Sequence, residues 1–233
     1  MSDSIVCIFI SLLPRIFKAK LMIQIHRFTF NSFMVNSYFL YDETMECLAV
    51  DAACYDNSEK EEIRRFLEEN NLKLTRHINT HCHIDHVLGN QYVADAYQVF
   101  PEYHKASIPF FYTAKEIGIT FGYRLDKIPE AKSYPEDSDE IRFGNSVIRV
   151  LYTPGHAEGS ICLYSKEQGF VITGDVLFKD TIGRTDLPGS SYDALMESIK
   201  HKLFTLPDDT VVYPGHGPET SIGYEKMNNP FIR

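Results

Sequence analysis

Thr80-His81-Cys82-His83-Ile84-Asp85-His86 packs three imidazoles and a carboxylate into the six residues from His81 to His86. His81 and His83 are two apart, so in an extended stretch they point the same way and can share one cation. Asp85 and His86 lie one step further along and can reach a second. Imidazole nitrogen and carboxylate oxygen bind zinc-like metals at about 2.0–2.2 Å, and three protein ligands plus a water leave the open position that catalysis needs. Cys82 alternates with the two histidines, so it is expected to point away from the cations. The competing reading is a surface His cluster without metal.

Three further segments weigh against that competitor. Thr153-Pro154-Gly155-His156 follows a strand ending at Leu151, and its Pro-Gly turn projects His156 from the strand end. Thr173-Gly174-Asp175 follows the apolar strand Phe170 to Ile172, and Tyr213-Pro214-Gly215-His216-Gly217 follows Val211-Val212. Each alone is only a strand running into a glycine turn. Together with the first cluster they supply His81, His83, Asp85, His86, His156, Asp175 and His216. That set suffices for two ions with three terminal ligands each and one bridging carboxylate.

The rest of the chain reads as a frame for these loops. Met22–Phe30, Phe33–Tyr41 and 46–51 read as strands. Ser58-x-x-Glu61 reads as a capping box, opening a helix that ends near Asn70-Asn71. Strand 72–79 runs into the His motif, and a short helix follows at Asn90–Tyr97. Residues 101–137 read as a Pro-rich irregular insert with a helical piece near Ile108–Ile117. Hairpins are expected at 141–151 around Gly144-Asn145 and at 161–173. Ser191–His201 reads as an amphipathic helix, and Thr210–Tyr213 as the last strand. This order suits two packed sheets with helices outside, and functional residues on loops at one edge.

Composition excludes several classes. The 233 residues carry 23 basic and 32 acidic side chains, a net charge of −9, which argues against nucleic acid as a partner. Cys7, Cys47, Cys54, Cys82 and Cys162 contain no Cys-x-x-Cys pair, so the reading is a reduced, cytoplasmic protein. The apolar run Ile5–Leu13 is too short to span a membrane. Its basic residues Arg15, Lys18 and Lys20 follow it rather than precede it, unlike a signal peptide. Residues 1–21 are therefore expected to be an extension outside the fold, and 22–233 a single domain. No membrane partner is expected, and the oligomeric state is left open.

With Gly183-Arg184-Thr185-Asp186 and the tail segments Gly217-Pro218-Glu219-Thr220, Tyr224-Glu225 and Asn229-Pro230-Phe231, the sequence resembles the metallo-β-lactamase superfamily. Within it the likeness is to the single-domain glyoxalase II-like (hydroxyacylglutathione hydrolase-like) branch, over residues 22 to 231. The resemblance implies an α/β fold, a four-layer αββα sandwich of two mixed sheets flanked by helices. It implies two divalent ions, zinc or else iron or manganese. Site one becomes His81, His83 and His156. Site two becomes Asp85, His86 and His216, with Asp175 bridging. The implied reaction is metal-dependent hydrolysis of a small acyl thioester or ester, with Asp85 as the catalytic group that orients the attacking water.

A basic residue near the position of Arg184 contacts glutathione in two-domain glyoxalase II. Arg184, together with Lys179, is thus expected to bind a substrate carboxylate, a task suited to a planar fork; a structural ion pair of Arg184 with Asp186 is the alternative. One departure matters. Only 17 residues follow His216, whereas the larger enzymes continue into a helical domain that forms much of the glutathione pocket. Competing functions are a mononuclear iron persulfide dioxygenase and a hydrolase of lactones or phosphodiesters. A true β-lactamase is disfavoured, because those enzymes lack the equivalent of Asp175. A binding protein on a dead scaffold would need a missing ligand.

Overall fold

The computed structural model describes residues 23–232. The expectation for residues 1–21 lies outside the described residues.

The first sheet grows from the N-terminal side of the chain. β1 (Gln24–Phe30) and β2 (Val35–Tyr41) pair antiparallel across the turn at 31–34, and β3 (Glu46–Val50) pairs antiparallel with β2. α1 (Asn57–Glu69) then crosses over, so that β4 (Lys73–Ile78) lies parallel to β3, as a parallel neighbour requires. β5 (Pro101–Glu102) closes the edge beside β4. Between them come the one-turn helix α2 (Ile84–Val87) and α3 (Asn90–Tyr97), and after β5 comes α4 (Ile108–Thr120).

The second sheet is a meander of β6 (Glu140–Phe143), β7 (Ser146–Tyr152), β8 (Ile161–Ser165) and β9 (Phe170–Gly174). After the small hairpin β10 (Leu177–Phe178) and β11 (Thr181–Ile182), α5 (Tyr192–His201) crosses over and brings β12 (Val211–Pro214) parallel to β9. β13 (Thr220–Ser221) pairs on its outer side and leads into α6 (Ile222–Asn228).

Side chains alternate across a strand, and this sorts the layers. On β2, Tyr38 and Leu40 face the second sheet, meeting Ile161 and Leu163 of β8 in one cluster. The intervening Phe39 packs instead with Ile63 and Leu67 of α1 and Val93 of α3. On β8, Cys162 and Tyr164 turn outward to Leu195 and Ile199 of α5. Both faces of each sheet are therefore covered, which is why β8 and β9 are buried along their whole length. Each fully buried aliphatic side chain contributes about 1.5–3 kcal/mol. The architecture is the expected four-layer αββα sandwich.

Two local expectations are corrected. The capping box of α1 is Asp56 with Glu59, not Ser58 with Glu61. Both pairs have the right spacing, but Glu59 also accepts from the backbone N–H of Tyr55 at 2.6 Å and of Asn31 at 2.5 Å. Those bonds tie the helix start to the β1–β2 turn and fix the earlier position. The strand at 211–214 is not the last strand. β13 and α6 follow, too short to show periodicity, with α6 capped by Ser221 and anchored by buried Glu225, which accepts from Thr220 Oγ1 at 2.5 Å. Asp85 and His86 sit on the α2 helical turn, just beyond the stretch that carries His81 and His83.

Candidate metal centre

The loops that leave β4, β7, β9 and β12 meet at one edge of the sandwich. His81 and His83 lie on the extended backbone after β4, and His83 is the N-cap of α2. The α2 turn then presents Asp85 and His86. His156 follows β7, Asp175 follows β9 directly, and His216 follows β12. Gly155, at φ 139°, lies against the backbone of Leu195 at the start of α5, an approach that a Cβ would block.

All seven predicted side chains come together in overlapping groups. In His81, His83 and His156 the potential ligand atoms lie within 4.8 Å of one another, and the same holds for Asp85, His86 and His216 and for His81, His86 and Asp175. Asp175 stands between the first two groups. Its carboxylate is 3.4 Å from His86 Nε2, 3.5 Å from His216 Nε2 and 3.7 Å from His156 Nε2. Asp85 Oδ2 is 3.3 Å from His216 Nε2.

Four of the imidazoles are oriented by a partner on Nδ1, which leaves Nε2 facing the centre. His81 Nδ1 meets Thr80 Oγ1 at 3.1 Å, His86 Nδ1 meets Asp51 Oδ2 at 2.9 Å, His156 Nδ1 meets the Arg184 carbonyl at 3.0 Å, and His216 Nδ1 meets the Phe33 carbonyl at 3.0 Å. His83 instead turns Nδ1 inward, 2.9 Å from His156 Nε2. This outer support is the usual companion of a metal-binding His.

Two observations test whether the residues fit a cation. His81 Nε2, His86 Nε2 and Asp175 Oδ1 are buried without a hydrogen-bond partner, a costly arrangement unless something binds them. The charge balance points the same way. Burial holds His81, His83 and His156 below the ordinary imidazole value, His83 at about 4, so these offer lone pairs. Burial also opposes charge on His86, but Asp175, Asp85 and Asp51 outweigh it and push His86 well above its ordinary value. His216 rises to about 9 because hydrogen bonds to Asp175 and Asp85 overcome its burial. The carboxylates thus demand positive charge, which two protons supply in the cation-free protein. The donor set fits divalent metal.

A pH dependence follows. A raised pKa means that His86 and His216 must lose protons before they can ligate, so cation binding should release protons and tighten as pH rises. Calorimetric titration in buffers of different ionisation enthalpy should show proton release at pH 7. Affinity independent of pH between 6 and 9 would contradict the charge balance.

The other predicted residues are placed as follows. Cys82 is fully buried beside Ile84, Val87 and Phe111 and belongs to none of the three groups, and burial pushes its thiol well above the usual range. Arg184 makes the two-bonded ion pair with Asp186, at 2.7 and 2.8 Å. It also lines both cavities that open on the centre. Lys179 lines only the smaller, with its Nζ 5.9 Å from the centroid of the Tyr224 ring.

Sequence reasoning missed Asp51. It follows β3 in the left-handed region, at φ 50°, and accepts from Thr80 N at 2.7 Å and Thr80 Oγ1 at 2.6 Å as well as bonding His86. The available signal was a carboxylate directly after an apolar strand. The role of Gly215 also went unread. A Cβ there would collide with Asp175 Oδ1 and lie 2.9 Å from His86 Cε1. Gly215→Ala should therefore displace Asp175 and weaken cation affinity roughly 10- to 100-fold, measurable by competition with a chromogenic chelator. Unchanged affinity would show that the loop yields freely.

Residues 31–216 match the sequence profile of the Metallo-beta-lactamase superfamily. A probable metallo-hydrolase of Bacillus subtilis is 35% identical over 199 residues, covering 84% of this chain and 92% of its own. The hydroxyacylglutathione hydrolase GloC of Haemophilus influenzae is 30% identical over 204 residues, covering 86% and 94%. Among solved structures, the BLEG-1 B3 metallo-beta-lactamase superposes with a TM-score of 0.80 at 27% identity, over 90% of this chain and 99% of that one. TTHA1623 in a di-iron-bound form superposes with a TM-score of 0.78 at 30% identity, over 88% and 99%. Among the described residues no helix is long and apolar enough to cross a membrane.

Proposed function

The chain belongs to the metallo-β-lactamase superfamily, and from that premise we propose that it is a binuclear metal-dependent hydrolase of small acyl thioesters. His81, His83 and His156 would hold one ion, Asp85, His86 and His216 the other, and Asp175 would serve both. The observation that carries this reading is the convergence of these seven side chains at the junction of two open cavities. Two divalent ions, zinc or else iron or manganese, supply Lewis acidity and bring the pKa of water toward neutrality.

The remaining roles fall to the chain itself. Asp85 faces the larger cavity with its side chain 15% exposed, so its carboxylate can accept a hydrogen bond from an attacking water and orient it. Arg184 spends two donors on Asp186 and keeps Nη1 for a substrate carboxylate, with Lys179 as a second cation on that side. The Nδ1 atoms of His81, His86, His156 and His216 are committed to partners, so none of these can act as a separate general acid on a leaving group. A thiolate leaves without protonation, which favours a thioester over an amide. The likeness to a relative named as a hydroxyacylglutathione hydrolase supports the same substrate class.

Metal analysis of the purified protein, followed by assays with S-D-lactoylglutathione and with glutathione persulfide, tests the reading. Two ions per chain and thioester cleavage are expected. Oxygen uptake with persulfide and no thioester cleavage would overturn it in favour of sulfur oxidation.

A further inference from the structure

The larger cavity measures about 810 Å³, and most of its wall has no part in the chemistry above. A volume of about 300–1,000 Å³ is that of a small-molecule site. Away from the metal centre the wall is Phe33, Phe110, Ile117, Phe121, Leu187 and Pro188. Phe110 stands edge-on to His83 with ring centroids 5.3 Å apart, so the apolar wall begins at the metal ligands. At the mouth, Phe121 packs edge-on against Phe33, also at 5.3 Å. Ile117 and Phe121 nevertheless stay 41% and 55% exposed. Large apolar side chains grouped in water beside a reactive centre mark a surface that a ligand covers.

Charge divides the two cavities. The charged groups of the α4 side, Glu116 and Glu158, are acidic and would repel an anion, while Lys179 stands in the smaller cavity. The cavities share His156, Asp175, Arg184 and His216. A carbonyl carbon held at that junction would send its two substituents in different directions.

We propose that the α4 cavity binds a medium-length apolar acyl chain, and that the substrate is an apolar acyl thioester whose thiol portion carries an anionic group toward Lys179 and Arg184. This rests on the thioesterase reading and narrows it. In the reaction the oxygen of water bonds to the acyl carbon and the C–S bond breaks. The products are the apolar carboxylate and the thiol, with one proton released to solvent.

Two compound series on one thiol, glutathione, test the assignment. Acyl thioesters from acetyl to octanoyl report turnover by the metal-loaded protein. Non-hydrolysable S-alkylglutathiones from methyl to octyl report calorimetric binding to the chelator-stripped protein. Both kcat/KM and affinity should rise roughly fourfold per added methylene. Ile117→Gln and Phe121→Ser should flatten both slopes. Tyr112→Ala should leave them unchanged, because Tyr112 is 74% exposed on α4 and is not part of the wall. Cleavage and binding that both ignore chain length would overturn the acyl assignment and leave the thioesterase reading standing. Affinity that climbs with chain length while no thioester is cleaved would overturn the thioesterase reading and support the apolar-chain site. Slopes unaltered by Ile117→Gln and Phe121→Ser would overturn the placement on α4.

Discussion

Asp175→Ala is expected to cut hydrolytic activity by at least about a thousandfold and to lower the metal content of the purified protein. The reason is its position. Among the described residues Asp175 is the one carboxylate within 3.7 Å of His86, His156 and His216 together, so its loss touches both candidate ligand groups. Its carboxyl is held well below the usual range, because although burial opposes its charge, His86 and the neighbouring imidazoles more than compensate. Removing it leaves His86 buried beside one fewer counter-charge. Cys82→Ala is the matched control. Cys82 neighbours two of the proposed ligands in sequence but packs into the apolar cluster of α2 and α4, so it should cost less than about tenfold in activity. Metal content by plasma spectrometry and turnover on one thioester decide the matter. Equal losses in the two variants would remove Asp175 from the centre of the mechanism.

The candidate ligands were legible because metal chemistry is written in residue type and short spacing. Period-two alternation set His81 and His83 apart from Cys82, and the structure groups the two imidazoles with His156 while Cys82 packs among apolar side chains; each remaining candidate stood just beyond a readable strand. The sandwich was legible too, since β8 and β9 are apolar runs bounded by turns, and α5 shows its Leu195 and Ile199 stripe. What stayed hidden depends on contacts between distant segments. Phe33 and Arg184 orient His216 and His156 through backbone carbonyls, a group that every residue carries. The start of α1 at Asp56 was decided by Glu59 reaching the β1–β2 turn, which local spacing cannot report. The C-terminal α6 is held by buried Glu225 rather than by an apolar stripe. The apolar cavity wall joins α4 to residues near 33 and 187, so no single window of sequence displays it.

Asp51→Asn should weaken both metal binding and turnover, although Asp51 belongs to none of the three candidate ligand groups. Asp51 lies 35 residues before His86 in the chain, yet its Oδ2 meets His86 Nδ1 at 2.9 Å. The carboxylate can only accept there, so it fixes the proton on Nδ1 and keeps the Nε2 lone pair toward the centre. It also accepts from the backbone and hydroxyl of Thr80, and that hydroxyl in turn meets His81 Nδ1. One buried side chain thereby orients a member of each proposed metal site. An asparagine keeps the size but offers one acceptor oxygen in place of two. Its amide NH2 must then face either Thr80 or His86. Facing His86, it would favour the tautomer that places the proton on Nε2 and turns the ligand off. The expected result is a 10- to 100-fold loss of metal affinity, with turnover partly restored by added metal. Asp51→Glu, which retains the charge, should recover less than full affinity because the longer arm cannot keep both Thr80 bonds. Asp175→Ala, by contrast, should not be rescued by added metal. If Asp51→Asn binds metal as tightly as the unsubstituted protein, the orientation of His86 must come from packing alone, and the carboxylate has no positioning role.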